Sequence, residues 1–445
     1  MRIAFLVADF PRLSETFVLN QVTGLLDRGH TVDLYTDHIE AWSRVHPDVN
    51  RYRLWEHTYL MQAVPQNYLW RVLKGIGLIL RSLKSAPRVL GEALNVFAYG
   101  EQAFNLWLLY TAMSLPQPRP TYDLIHCQFG TQGYRGLAFK RLLNPTPKLL
   151  VMFRGHDISC YLQEGGDRVY QQLFPHIDYC LANCEFFRQR VIDLGWDPER
   201  IAVHFSGLDV SKFRFRPRCL LPGEPVQIAT TGRLVEKKGI EYAIRAVAQQ
   251  AQQFPGLTYW IIGDGPQRPL LEQLIHDLGA DGSIHLLGWR HEAEIIQILD
   301  RCHLFIAPSV TAADGNQDAP INVLKEAMAM GLPVISTNHG GIPELVEEGV
   351  SGFLVPERDA EALGAQLHYL LQHPDHWPQM GQAGRAFVER HFDLEHLNDL
   401  LVARYQQVLG STHSITLDAS SLDQTVANPD HPESLNSFSF GAHHE

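Results

Sequence analysis

The chain has 445 residues, apolar and charged fractions of 45% and 19%, and a formal net charge of −12. That length exceeds one ordinary core and sets two domains as the expectation; the composition is that of a globular protein, and the negative charge argues against a general nucleic-acid binder while leaving room for a local basic patch. The six cysteines are scattered, and Cys180 and Cys184 are followed by no second ligand pair at metal spacing, so all six read as free buried thiols in a reducing compartment.

Residues 3–7 form a continuous apolar run that Asp9 soon follows, which suits a buried first strand and not a signal peptide. No window approaches the apolar length of a membrane span. The loop 8–16, an amphipathic helix over 17–28 and a strand over 31–35 make a β-loop-α-β unit, whose ligands bind at the carboxyl ends of the strands. The loop lacks G-x-G-x-x-G, so a nicotinamide cofactor is not indicated, and Ser14 is placed to cap the helix. From Trp55 to Leu115 the chain reads as helical. Between Leu60 and Gly91 it carries Arg71, Lys74, Arg81, Lys84 and Arg88 and no acid, with apolar runs such as 76–80 between them. This reversal of charge suits a helix lying on an anionic membrane surface, each basic residue near that surface contributing about 1 kcal/mol. A packed helix pair with a solvated basic face fits the same residues.

Strands over 123–126, 149–153 and 179–183 place the loops carrying His126, Gln128, Arg154, His156 and Asp157 on the same sheet edge as the first loop. A strand over 201–205 and a Pro- and Arg-rich linker over 214–225 end the first half. The second half opens with a strand over 227–231, the loop Gly232-Arg233-Leu234-Val235-Glu236-Lys237-Lys238-Gly239 and a helix over 240–253. Here the glycines let the backbone approach a phosphate, Arg233 offers a planar fork, and Lys238 is a point charge beside a helix N-terminus. Taken alone, such a loop is more often just solvated. Strands follow over 258–262, 284–287 and 304–308, the first capped by Gly263-Asp264-Gly265-Pro266. Then come Asp318, a helix over 321–330 that Gly331 stops, a strand over 333–336, and a glycine turn over 340–343 that opens a second helix at Glu344. Asp318 in the loop and Glu326 in the helix can face one pocket from different heights, and carboxylates so placed suit sugar or ribose hydroxyls. Alternating strands and helices throughout make the chain α/β, with two doubly wound domains. A final helix spans 394–409. Beyond it the chain is rich in Ser, Asp, Asn and Pro without Lys or Arg, which predicts disorder.

Several of these strings carry a resemblance. D-A-P-I-N-V-L-K-E-A-M-A-M-G-L-P-V-I-S-T-N-H-G-G-I-P-E-L, from Asp318 to Leu345, resembles the E-x7-E region of the retaining glycosyltransferases of family four, with Asp318 in place of the first Glu, Ala319 in place of Gly, and Pro320 one position early. Residues 232–239 match that family's G-R-L-x-x-x-K-G, residues 263–266 its G-x-G-P turn, and residues 206–213 its N-G-x-D-x-x-x-F with Ser206 for Asn. F-P-R-L-S-E-T-F resembles the first loop of an exopolysaccharide-building, colanic-acid-type subgroup. His126 is kept where the family often has H-x-H-x-G, with Gln128 for the second His, and Arg154 stands at the usual His of H-G-x-D.

The resemblance implies the GT-B fold, two Rossmann-like domains facing across a cleft. It divides the chain into an acceptor domain over 1–213 with a helical, basic insertion at about 55–115, a linker over 214–225, a nucleotide-sugar domain over 226–392, a helix over 393–409 crossing back to the first domain, and a tail over 410–445. It implies retaining sugar transfer from a nucleotide-diphosphate sugar to a glycan or lipid-linked acceptor, without metal or further cofactor, in the cytoplasm or peripherally on the inner face of the plasma membrane. Gly232, Arg233, Lys238, Gly263 and Gly265 would hold the nucleotide diphosphate, Glu326 the ribose, and Asp318 with Ala319, Pro320 and Ile321 the donor sugar. His156 joins Asp318, Glu326, Arg233 and Lys238 as a catalytic candidate, and Asp9, Ser14, Glu15, His126, Arg154 and Asp157 would line the side facing the acceptor. Retention by front-face attack and retention through a carboxylate nucleophile both stay open. So do two rival readings: another GT-B enzyme such as an epimerase or phosphorylase, and a non-catalytic nucleotide-sugar-binding protein.

Overall fold

The computed structural model describes residues 1–12, 16–39, 46–65, 67–83, 87–99, 101–116, 118–143, 146–318 and 320–410. Ser14, Glu15, Ala319 and the tail beyond Gly410 lie outside the described residues. Within them the chain builds two wholly parallel sheets. The first has seven strands, β1 (Arg2–Asp9), β2 (Thr31–His38), β3 (Thr58–Leu60), β4 (Leu124–Cys127), β5 (Lys148–Phe153), β6 (Tyr179–Ala182) and β7 (Ile201–Val203), in the order β3-β2-β1-β4-β5-β6-β7. The second has six, β8 (Gln227–Thr231), β9 (Thr258–Ile262), β10 (Ile284–Gly288), β11 (Leu304–Ala307), β12 (Val334–Thr337) and β13 (Gly352–Val355), in the order β10-β9-β8-β11-β12-β13. The strand order reverses between β1 and β4 and again between β8 and β11. Those two switch points open crevices at the carboxyl ends of the strands, where doubly wound sheets bind ligands.

The two-residue period of a strand decides what each face covers. In β1, Ile3, Phe5 and Val7 enter a cluster with Val18, Leu19, Leu401 and Tyr405, while Ala4 and Leu6 face Leu109, Phe139 and Leu137 on the other side. In β11, Leu304 and Ile306 pack with Ile244, Val247 and Trp377, while Phe305 and Ala307 enter the cluster that also holds Leu324 and Met328. That last cluster runs on through Phe205, Leu208 and Phe213 into the first sheet. One continuous apolar body therefore joins the two sheets.

The helix Leu394–Leu409 returns to the first sheet. Asp393 caps it through the His396 amide, and Gly410, in the left-handed region at φ 72°, ends it. Beside the helix Thr16–Asp27 it approaches so closely that a Cβ on Gly24 would lie 2.0 Å from the Asn398 side chain. Arg28 adds ion pairs to Glu395 and Asp399. Where this helix begins, Leu208 and residues 392–394 exchange main-chain hydrogen bonds, so both crossings between the sheets run side by side.

Three expectations change. The stretch read as helical contributes the edge strand β3 before its helices begin, because three residues carry too little period to separate from a helix. The glycine turn opens only a single 3-10 turn, Ile342–Glu344, and no second helix follows. Cys219 is exposed, whereas the other five thiols are buried.

Leu401 is fully buried between the returning helix and the first sheet. Leu401→Ala is expected to cost about 2–5 kcal/mol by denaturant unfolding, as large-to-small core changes do. An effect under about 1 kcal/mol would show that the helix docks loosely.

Candidate functional site

The switch point of the second sheet is built by loops that only glycine permits. Gly263 sits at φ 144°, and a Cβ there would lie 1.9 Å from the Gly232 carbonyl; a Cβ on Gly265 would lie 2.4 Å from the Leu234 carbonyl. The Leu234 amide donates to Asp264 O at 3.0 Å, which stitches the loop after β8 to the loop after β9. Gly239, left-handed at φ 57°, starts the helix Ile240–Ala251 with no side-chain cap, and its own Cβ position is filled by the Pro308 carbonyl. Basic side chains thus surround a helix N-terminus whose amides have no capping side chain, which is the chemistry of an anion site. Arg233 lies exposed at its rim.

Asp318 is the buried centre of this edge, only 6% exposed. Lys238 Nζ donates to its Oδ2 at 2.7 Å, Lys237 Nζ lies 2.9 Å from its Oδ1, and Ser309 Oγ donates to Oδ2 at 3.0 Å. Burial alone would raise the carboxyl's pKa; the two ammonium groups overcome that and hold it well below the usual carboxylate range. Burial in turn lowers the Lys238 pKa, with Asp318 opposing. Lys237 was not singled out from sequence because it fills a position that the matching string leaves open. Its second partner, Asn316 Oδ1 at 3.2 Å, ties it to the loop that leads into Asp318.

The helix Asn322–Ala329 follows, with Pro320 buried just before it and Ile321 at its N-cap without a side-chain hydrogen bond. Glu326 is half-buried on it, and its carboxylate accepts no hydrogen bond among the described residues. Burial, reinforced by Glu292 and opposed by Lys325, pushes its carboxyl up to about 7. Lys325, next to it, is buried between the sheets. It donates to the Ser206 carbonyl at 2.8 Å and stands 4.6 Å over the Phe392 ring, and burial brings its pKa down to about 7. Glu344 does not start a helix of its own. It accepts from the Glu185 and Phe186 amides at 2.7 and 2.8 Å, and so caps the helix Glu185–Asp193 of the first sheet.

The loops of the first sheet hold the remaining candidates. Arg154 is buried, donates to Gln128 Oε1 at 2.8 Å and Ser206 Oγ at 3.1 Å, and lies 4.1 Å over the Phe17 ring. Gln128 in turn donates to Gln21 Oε1 at 3.0 Å. The two residues that stand in place of histidines are therefore partners of one another. Asp157 is buried and accepts from the Gly130, Arg154 and Gly155 amides at 2.7, 3.0 and 3.0 Å. It ties two loops together, and these three hydrogen bonds all come from the main chain. His126 is wholly buried with its Nδ1 2.5 Å from Tyr405 Oη, so neither it nor Asp157 presents a side chain to an acceptor. His156 is exposed beside them, and Asp9, half-buried, pairs with Arg12 at 3.2 Å.

Glu326 generates a pH prediction. A carboxyl with its folded pKa raised contributes stability that is full below its unfolded pKa, about 4.3, and lost as pH rises through about 7. Glu326→Gln removes that loss. The variant should gain stability over wild type on going from about pH 5 to about pH 8 in denaturant titrations. A gap that stays constant with pH would contradict the burial of this group.

Comparison with known proteins identifies the family and the fold. Residues 225–373 match the description "Glycosyl transferases group 1", and residues 14–205 match "Glycosyl transferase 4-like domain". The Salmonella typhimurium protein WcaL, named for colanic acid biosynthesis, is 36% identical over 377 residues, covering 82% of this chain and 90% of its own. The amylovoran biosynthesis glycosyltransferase AmsK of Erwinia amylovora is 33% identical over 395 residues, covering 88% and 96%. Among solved structures, Anabaena HepE in complex with UDP and glucose superposes with a TM-score of 0.64 at 20% identity, covering 92% of this chain and 100% of that one, which shows the shared fold. Sheet order, returning helix and these relatives together place the chain in the GT-B glycosyltransferases of the family 4 type.

Proposed function

We propose that this glycosyltransferase moves a sugar from a nucleotide-diphosphate sugar onto a growing cell-envelope polysaccharide or its lipid-linked precursor, with retention and without a metal. The observation that carries the reading is the ion cluster of Asp318, Lys237 and Lys238 beside Arg233 and an uncapped helix N-terminus. The bond that breaks joins the anomeric carbon to a diphosphate, so negative charge grows on the leaving oxygen. Lys238 and the loop amides meet that charge from fixed positions, Arg233 reaches it from the exposed rim, and fixed donors need no reorganisation as it develops. Asp318 orients Lys238 and turns its carboxylate to the sugar's hydroxyls. Glu326, with a free carboxylate, accepts from the ribose. The leaving phosphate takes the acceptor's proton in a front-face attack, and His156, exposed on the facing loop, contacts the sugar. WcaL and AmsK are named for colanic acid and amylovoran biosynthesis, and HepE was crystallised with UDP and glucose, which supports a polysaccharide acceptor and a nucleotide-sugar donor here.

The acceptor side points to a lipid surface. Among the described residues no helix is long and apolar enough to cross a membrane. The helix Tyr68–Ser82, however, leaves Leu69 67%, Trp70 60% and Leu80 68% exposed, with Lys74 and Arg81 exposed on the same helix. Apolar side chains left in water beside basic ones favour an anionic lipid interface.

The test is donor-dependent nucleotide release with a panel of UDP-, GDP- and ADP-sugars and membrane extract as acceptor source. One donor should support release, unaffected by EDTA and with the anomeric configuration kept by NMR. Arg233→Ala and Glu326→Ala should each lower kcat/KM by about 100-fold or more. Thermal stabilisation by a donor without any release would instead describe a binding protein. In flotation assays the protein should bind anionic vesicles and not zwitterionic ones, and Leu69→Asp with Leu80→Asp should abolish that binding. Equal recovery of this double variant and wild type would remove the membrane from the account.

A further inference from the structure

The main chain of Asp318 is held as deliberately as its side chain, by His339 within the same string and by Glu357 beyond its end. Its amide donates to His339 Nε2 at 2.9 Å. An imidazole nitrogen that accepts carries no proton, so the His339 proton lies on Nδ1. Nδ1 faces Glu357 Oε1 at 2.6 Å. Glu357 is in turn fixed by the Thr311 amide at 2.7 Å and the Thr311 hydroxyl at 3.1 Å. On the other side of the residue, the Gly341 amide reaches the Asp318 carbonyl at 3.4 Å, and a Cβ on Gly340 would lie 2.1 Å from that carbonyl. His339 is fully buried, with no exposure at all. The chain of contacts joins the loops after β11, β12 and β13 in sheet order.

We propose that His339 and Glu357 are positioning residues for donor binding: Glu357 fixes the imidazole tautomer, and the imidazole then fixes the Asp318 backbone so that its carboxylate meets Lys237 and Lys238. Without that acceptor the buried Asp318 amide loses its partner, and the segment 309–318 loosens. Neither residue need touch substrate. The inference rests on the donor reading above for its kinetic arm only.

Two isosteric halves of histidine separate this role from packing. In His339→Gln the carboxamide oxygen takes the place of Nε2 and keeps the acceptor for the Asp318 amide. In His339→Asn the carboxamide nitrogen takes the place of Nδ1, keeps the Glu357 contact and leaves that amide without an acceptor. Two readouts are measured: amide hydrogen exchange of the peptide covering 309–318, and steady-state kinetics with whichever UDP-, GDP- or ADP-sugar supports release. His339→Asn should speed exchange of that peptide by about tenfold or more and raise the donor KM by a similar factor with kcat little changed. His339→Gln should restore both to within about threefold of wild type. Equal losses in both variants would mean that the ring acts by packing alone, and no change in either would mean that the contact does nothing; each result overturns the proposal. If wild type releases no nucleotide, the donor reading fails while the exchange contrast still decides this one. Should His339→Asn not fold, Glu357→Ala, whose side chain is only partly buried, is expected to speed the same exchange severalfold, and wild-type exchange in it would overturn the proposal.

Discussion

A carboxylate cannot be buried as an ion without opposite charge close by, and Asp318 meets that demand with two lysines at once. The arrangement works in both directions. Desolvation and the neighbouring Lys237 and Arg233 lower the Lys238 pKa, and the Asp318 carboxylate opposes them. Breaking such a cluster by removing one partner typically costs about 3–5 kcal/mol, because the remaining charge stays buried. The cluster therefore pins the loop after β8 to the loop after β11, which are the two loops that flank the switch point. Everything proposed for the donor follows from that pin: where Arg233 can reach, where the uncapped helix begins, and where Glu326 stands eight positions later.

The same economy of buried polar groups joins the two sheets. Glu344 satisfies the first amides of a helix on the opposite sheet, Lys325 donates to the Ser206 carbonyl, and Arg190 donates to Gln317 at 2.6 Å. These contacts come from the helices and loops that carry the candidate site residues, so the site's geometry and the relation of the sheets are mechanically linked. The apolar cluster through Phe205, Leu208 and Phe213 supplies the non-directional part of that link. Glu326 shows the cost of such a site. A half-buried carboxyl with no hydrogen-bond donor among the described residues destabilises the fold when ionised, and that same missing partner leaves its oxygens open to the ribose hydroxyls proposed for it.

What could be read from the residues alone follows how local each feature is. The final helix was legible to the residue because its Asp cap and terminal glycine both lie in the sequence beside it. The loop glycines and Asp318 were legible because short contiguous strings carry them. The Arg154–Gln128 pair was not: each looked like an isolated departure, and only the adjacency of β4 and β5 brings them within 2.8 Å. Glu344 was misread for the same reason, since the helix it caps lies 158 and 159 positions away in the chain. The role of His339 was hidden even though its string was recognised, and Glu357 gave no signal, because a buried histidine shows its role only through which nitrogen meets which partner.

The most direct test is a crystal structure of the protein with its nucleotide-diphosphate donor bound. The account predicts diphosphate oxygens within hydrogen-bond distance of Lys238 and Arg233, ribose hydroxyls on Glu326, and a sugar hydroxyl on the Asp318 carboxylate. A donor bound elsewhere, with no diphosphate oxygen near Lys238 or Arg233, would contradict it.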